Sequence, residues 1–266
     1  MGRIIAVANQ KGGVAKTTTV VSLGAAFAEH GLRVLLVDLD PQAGLTFSLG
    51  LDPDEPAIGL HDVLLGRVGI ASAVTVTGTG PEVLPAALEL AAAEAELLVV
   101  PSRERVLHRA LAPVAGDYEV ILLDCPPSLG MLTLNALAAA DEVLIPLQCE
   151  MLGHRGVGQL LDTVADVRAA VNERLLVRGI LPTMFDARTM HARAVLADVG
   201  ERFEVPVLSP PVPRSVRFAE APALGRPVLR TATRSAGARA YRELALGLLR
   251  AWGIGPGRRP TRRRAG

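Results

Sequence analysis

The chain has only two lysines, Lys11 and Lys16, and both stand in one short turn, Lys11-Gly12-Gly13-Val14-Ala15-Lys16-Thr17-Thr18; every other base among its 28 Lys and Arg is arginine. An ammonium is a compact point charge on a flexible stem, whereas a guanidinium is a broad fork suited to bidentate partners. Two point charges in a glycine-containing turn suit a crowded polyphosphate. An apolar run at 3–8 precedes the turn, and a segment at 16–30 follows it, with Leu23, Ala26 and Phe27 on one helical face. Strand, tight turn and helix in that order leave the N–H groups of a helix N-terminus where an anion can sit.

The rest of the chain repeats the alternation. Strands are expected near 3–8, 33–38, 119–124, 142–147 and 176–183, with shorter ones near 82–85 and 205–208. Helices are expected near 16–30, 87–97, 103–115, 130–139, 155–172, 191–203 and 235–251. Hydrophobic residues make up 50% of the chain and aromatics only 3%, so the core is aliphatic. Continuous aliphatic runs suit parallel strands covered on both faces. The pattern predicts an α/β fold: a doubly wound, mostly parallel sheet flanked by helices, with ligands bound beyond the carboxyl ends of the strands.

One domain is expected over 1–254, with the Pro- and Gly-containing segment 48–86 as an insertion in it. Residues 255–266 form a basic tail in which Arg258, Arg259, Arg262, Arg263 and Arg264 have no acid among them; without those five, 23 bases face 27 acids. Such a tail is either solvated or touches phosphate and acidic surfaces. The amino terminus enters a strand at once, without the plan of a signal peptide, and Ala6 stands where a myristoylation motif needs Ser or Thr. No apolar run reaches the roughly 18 residues of a membrane span. Cys125 and Cys149 are too few for a disulfide framework and read as buried, reduced thiols of a cytoplasmic protein, without the surroundings of iron–sulfur ligands.

Within the turn, the groups expected to hold a nucleotide are those of Lys11, Gly12, Gly13, Val14, Ala15, Lys16, Thr17 and Thr18. Lys16 would neutralise the β and γ oxygens, the Thr17 hydroxyl would join a Mg²⁺ shell, and Thr18 would donate to the α-phosphate. The P-loop pattern G-x-x-x-x-G-K-[ST] is met at Lys16-Thr17 but at neither glycine, where Gln10 and Ala15 stand. Two apolar strands end in carboxylates. Val34-Leu35-Leu36-Val37-Asp38-Leu39-Asp40-Pro41-Gln42 offers Asp38 to a water on Mg²⁺ or to the loop backbone, and Asp40 to the attacking water. Val120-Ile121-Leu122-Leu123-Asp124 is the description of a Walker B strand, with Asp124 on Mg²⁺ through water.

Asn9 through Thr19 resembles the deviant Walker A loop, K-G-G-x-x-K-[ST], of the ParA/MinD family of ATPases. The segment Asp38-Leu39-Asp40-Pro41-Gln42 is similar to that family's switch I, and Asp124-Cys125-Pro126-Pro127 with Ser128-Leu129-Gly130 to its switch II. The resemblance covers roughly 3–252. It implies an ATP hydrolase using ATP/ADP and Mg²⁺, with Asp40, Lys11 and Lys16 catalytic. It implies that Lys11 reaches the nucleotide of a second subunit, so that a homodimer forms with ATP. Ala15 departs from the family, which has glycine there; a positive φ at this position would cost a Cβ about 1 kcal/mol.

Leu181-Pro182-Thr183-Met184 and Ser209-Pro210-Pro211-Val212-Pro213 look like the segments that enclose adenine in ParA proteins, which nominates Pro182, Met184, Pro211 and Pro213. Arg214-Ser215-Val216-Arg217 is similar to the family's P-R-x-V-R stretch, and the resemblance implies sequence-independent DNA binding by basic residues of this half, with Arg188, Arg193, Arg214 and Arg217 as candidates. The resemblance further implies a cytoplasmic, nucleoid-associated partition ATPase stimulated by a ParB-type centromere-binding protein. A MinD-like ATPase that uses a membrane or a protein scaffold is the alternative, and an adaptor slowed by Ala15 a third. The last helix, Tyr241 to Trp252, is expected to pack in the core rather than on a membrane. No helix-turn-helix domain precedes the loop, which favours the compact chromosomal or orphan type over the plasmid type that represses its own operon.

Overall fold

The computed structural model describes residues 2–54, 58–78, 80–149, 153–186 and 188–255; the arginine tail lies outside them. The chain runs β1 (Arg3–Val7), α1 (Lys16–Glu29), β2 (Val34–Asp38), α2 (Gly44–Ser48), α3 (Leu60–Leu64), α4 (Ile70–Ala73), β3 (Thr75–Val76) and β4 (Glu82–Leu84). It continues with α5 (Leu90–Leu97), α6 (Val106–Leu111), β5 (Val120–Asp124), α7 (Met131–Ala139), β6 (Glu142–Gln148), α8 (Gly153–Ala170) and β7 (Leu176–Thr183). Helices α9 (Met190–Phe203), α10 (Arg217–Glu220), α11 (Val228–Thr231) and α12 (Ala236–Ala251) complete it.

Seven strands form one sheet in the order β3-β4-β2-β5-β1-β6-β7, all parallel except the β3–β4 pair. The expected doubly wound, mostly parallel sheet is the observed one. Period-two alternation explains the two cores. On β5, Ile121 and Leu123 face one hydrophobic cluster with α5 to α9, while Val120 and Leu122 face another with α1, α11 and α12. The chain leaves β1 towards β2 and leaves β5 towards β6, so the winding reverses between them. Val7, Asp124 and Asp38 stand in register across β1, β5 and β2 at this switch point. The carboxylates of two strands thus meet the end of the strand that feeds the lysine turn.

Two expectations change. Segment 48–86 is part of the sheet rather than an insertion, because β4 extends it beside β2 and α3 buries Leu60, Val63 and Leu64 in the core. Residues 205–208 form no strand; Val207 makes only an isolated bridge to Ile180. Helix α12 packs in the core as expected. It buries Tyr241, Leu244, Ala245, Leu248 and Leu249, and the Trp252 indole donates to the buried Glu142 carboxylate at 3.1 Å. Arg178 Nε donates to the same carboxylate at 2.7 Å, and Trp252 packs on Phe27 with ring centroids 5.6 Å apart. Among the described residues no helix is long and apolar enough to cross a membrane.

Candidate active site

The lysine turn is clamped to the sheet on both sides. Buried Asn9 donates from Nδ2 to the Pro146 carbonyl at 2.7 Å and accepts the Lys11 N–H at 3.0 Å. The Val14 side chain is buried, and its carbonyl accepts the Thr183 hydroxyl at 3.0 Å. Gly13 has φ of 73°, and Ala15, at the N-cap of α1, has φ of 69°. No side chain caps α1. Its first-turn N–H groups, on Lys16, Thr17 and Thr18, face a cleft of 430 Å³ that all three residues line.

Lys16 is only 7% exposed, and its Nζ donates to the Lys11 carbonyl at 3.2 Å. Burial lowers its pKa, against the opposing pull of Asp124. This is the state of a buried cation short of anionic partners. Asp124 is its counterpart. It is buried with neither carboxylate oxygen at hydrogen-bond geometry, and its pKa is pushed well up, first by burial and then by the charge of Asp38. The Thr17 hydroxyl and the Lys16 ammonium favour its charged form but are outweighed. A buried carboxylate with two orphaned oxygens fits a hydrated Mg²⁺, which Thr17 and Asp124 would hold beside phosphate.

Asp38 is engaged with the loop backbone. Its Oδ2 accepts the Thr46 N–H at 2.9 Å and the Thr46 hydroxyl at 2.7 Å, and its Oδ1 accepts the Asp40 N–H at 3.2 Å. It therefore fixes the start of α2 and the turn before it. Asp40 lines the cleft from that turn; its Oδ1 accepts the Gln42 N–H at 3.0 Å and its carbonyl the Ala43 N–H at 2.8 Å. Met184 shares with Ala15 a left-handed backbone on the cleft wall, and Ala43, bonded to Asp40 behind it, has one too.

The proposed adenine segments divide. Met184 and Pro213 line the cleft, while Pro182 is buried within β7, its carbonyl accepting the Val212 N–H at 2.8 Å. Pro211 lies on the far side, in a second basin of 580 Å³. Sequence reasoning missed Thr183, Phe218 and Tyr241, which also line the cleft. Tyr241 and Thr19 share a buried hydroxyl hydrogen bond of 2.9 Å, and Phe218 meets the Tyr241 ring edge-on with centroids 5.8 Å apart. Only the fold brings these distant segments together.

Arg188 and Arg214 line the second basin, joined by Arg239 of α12. Pro213 and Arg214 line both basin and cleft. Arg217 is exposed and its guanidinium donates to Glu220 at 2.9 Å. Arg193 lies on α9, and its side chain is outside the described residues. Both cysteines are free and buried; burial raises the Cys149 thiol to about 11 and pushes Cys125 further up.

A switch point that carries a lysine-bearing phosphate loop and a buried strand-end aspartate defines a P-loop NTPase. A family model described as an AAA domain matches residues 2–177. Sporulation initiation inhibitor protein Soj of Bacillus subtilis is 46% identical over 246 residues, covering 92% of this chain and 97% of that protein. Chromosome partitioning protein ParA of Caulobacter vibrioides is 43% identical over 246 residues, covering 91% and 92%. The structure of cobyrinic acid a,c-diamide synthase from Mycobacterium smegmatis with bound ADP and magnesium is 55% identical, with a TM-score of 0.86 over 95% of this chain and 96% of that one. The chain belongs to the ParA/Soj-type partition ATPases.

The left-handed Ala15 gives a direct expectation. Ala15→Gly removes a Cβ that costs about 1 kcal/mol at this φ, partly offset by the freer unfolded chain, for a net gain of about 0.5 kcal/mol. Urea denaturation of the nucleotide-free protein measures it. A less stable glycine variant would mean that the Ala15 methyl contributes packing that outweighs its strain.

Proposed function

We propose that the chain is a Mg-ATP hydrolase that dimerises around its nucleotide, binds DNA without sequence preference, and positions a chromosome, plasmid or other cargo in the cytoplasm at the nucleoid. A ParB-type partner would stimulate its hydrolysis. Residues 1–254 act as one ATPase domain, with 255–266 as a basic tail. The observation that carries the reading is the pair at the foot of the cleft: a buried Lys16 depressed by desolvation beside a buried Asp124 whose oxygens meet no partner at full hydrogen-bond geometry among the described residues. Each lacks what Mg²⁺ and a triphosphate bring. The ion supplies charge neutralisation between phosphate oxygens.

Lys16 and the first N–H groups of α1 hold the phosphates, and Thr17 and Asp124 hold the metal shell. Asp38 fixes the turn, and Asp40 on that turn orients the attacking water. Met184, Pro213 and Phe218 give the base a flat apolar wall. The arginines of the neighbouring basin take DNA phosphates, Arg217 exchanging Glu220 for them. The membrane alternative loses its device, since the apolar face of α12 already lies in the core.

DNA retention by the Asp40→Ala variant, which should hydrolyse slowly and stay dimeric, tests the reading. With ATP it should bind unrelated sequences alike and weaken steeply with salt, and Arg214→Ala should reduce the log–log salt slope by about 1. Binding indifferent to salt or to nucleotide would sink the partition reading.

A further inference from the structure

Helix α7 starts at Gly130, an N-cap residue with no side chain to receive the first N–H groups. The acceptor comes from another helix. Glu94 of α5 brings its Oε1 to 3.2 Å from the Leu132 N–H, where a carboxylate also meets the positive end of the helix dipole. The same oxygen lies 2.5 Å from where a Cβ on residue 130 would stand, although the φ of −77° there suits any residue. A Cβ at 130 would therefore push the Glu94 carboxylate aside, while the backbone there would accept it. One turn on, the Thr133 hydroxyl donates to the Ser128 carbonyl at 2.6 Å.

The loop from Cys125 to Gly130 is thereby fixed at both ends. The Cys125 N–H bonds the Val7 carbonyl at 3.2 Å beside Asp124, and the far end is held by Glu94 and Thr133. Between these anchors, Pro127 lines the nucleotide cleft and approaches Gly12, where a Cβ would lie 3.9 Å from it. Glu94 itself does not line the cleft.

We infer that Glu94 is a positioning residue for hydrolysis: by capping α7 from α5 it sets where the loop after Asp124 stands against the nucleotide. The inference rests on the reading of the cleft as an ATP-hydrolysing site. Because Glu94 touches neither the phosphate loop nor the cleft, its loss acts on turnover and not on nucleotide affinity.

Steady-state kinetics of the full chain with Mg-ATP test this. Glu94→Ala should lower kcat about five-fold with KM changed less than about two-fold. Glu94→Gln, whose amide oxygen accepts the same bond, should restore most of the rate. Gly130→Ala should also lower kcat, by displacing the carboxylate, and should add nothing to Glu94→Ala. An unchanged kcat in Glu94→Ala, a Gln variant as poor as Ala, or additive losses would overturn the inference. If the parent chain itself turned over no ATP, the hydrolase reading would fail instead. Hydrogen exchange at the Leu132 amide then decides the contact: faster exchange in Glu94→Ala supports it, and unchanged exchange refutes it.

Discussion

Asp124→Asn should stabilise the nucleotide-free protein while lowering Mg²⁺-dependent ATP turnover by about two orders of magnitude, the scale of several kcal/mol of lost charge stabilisation. Both effects come from one group. The carboxylate is buried beside Asp38 with no partner at full hydrogen-bond geometry among the described residues, and its pKa is raised by that burial first and by Asp38 second. A raised value in the fold means that the native state holds the proton more tightly than the unfolded chain. Stability from this group is therefore lost as pH rises from the ordinary carboxylate range through the folded value. The amide does not titrate, so the advantage of the variant should be absent near the low end of that range and grow with pH. Asp38, also raised by burial, gives both proteins a slope of the same sign. An advantage of about 1 kcal/mol at neutral pH corresponds to a melting point higher by about 2–4 °C. Calorimetry of the nucleotide-free forms at pH 5 and pH 8 measures it. A variant that melts below its parent at the higher pH would show that the carboxylate is not an uncompensated charge.

The sequence announced the elements whose signal is local. Aliphatic runs located β1, β2, β5, β6 and β7, with a glycine turn closing the first and aspartates closing β2 and β5, and the helical periods located α1, α7, α8, α9 and α12 within a few residues. Strand β3 was invisible because two residues, Thr75 and Val76, have no period; their pairing with Val83 and Glu82 makes them a strand. Val207 failed in the opposite sense, since the apolar run Val205-Pro206-Val207-Leu208 promised a strand while the chain there forms a single isolated bridge to Ile180. At the site, the phosphate loop and the aspartates were legible because contiguous residues carry their chemistry. Thr183, Phe218 and Tyr241 come from three separate segments, and no spacing in the chain signals that they share one cleft. Glu94 was hidden for the same reason, looking like one more acid on an alanine-rich helix until α7 is placed against it.

The two lysines should separate cleanly on truncation. Lys16→Ala removes the one side chain among the described residues that is both buried at the phosphate site and cationic there, and ATP affinity should fall by about one to two orders of magnitude, as for a charged hydrogen-bonding partner lost from a desolvated site. Lys11→Ala is a different experiment, because two of the bonds Lys11 gives the loop are backbone: its carbonyl accepts from Lys16 Nζ at 3.2 Å and its N–H donates to Asn9. Alanine keeps both bonds, so nucleotide affinity should stay within about three-fold of the parent, well under the 1.4 kcal/mol that makes a factor of ten. The resemblance to the deviant Walker A loop gives the side chain a role across the subunit boundary. If it grips the triphosphate of a second subunit, sedimentation with a non-hydrolysable ATP analogue should show the parent as a dimer and Lys11→Ala as a monomer at the same nucleotide saturation. A Lys11→Ala protein that still dimerises would move the dimer contact elsewhere. A Lys11→Ala protein that loses ATP along with dimerisation would place the ammonium in its own subunit's site. Only the combination of retained nucleotide and lost dimer assigns the second lysine to the partner.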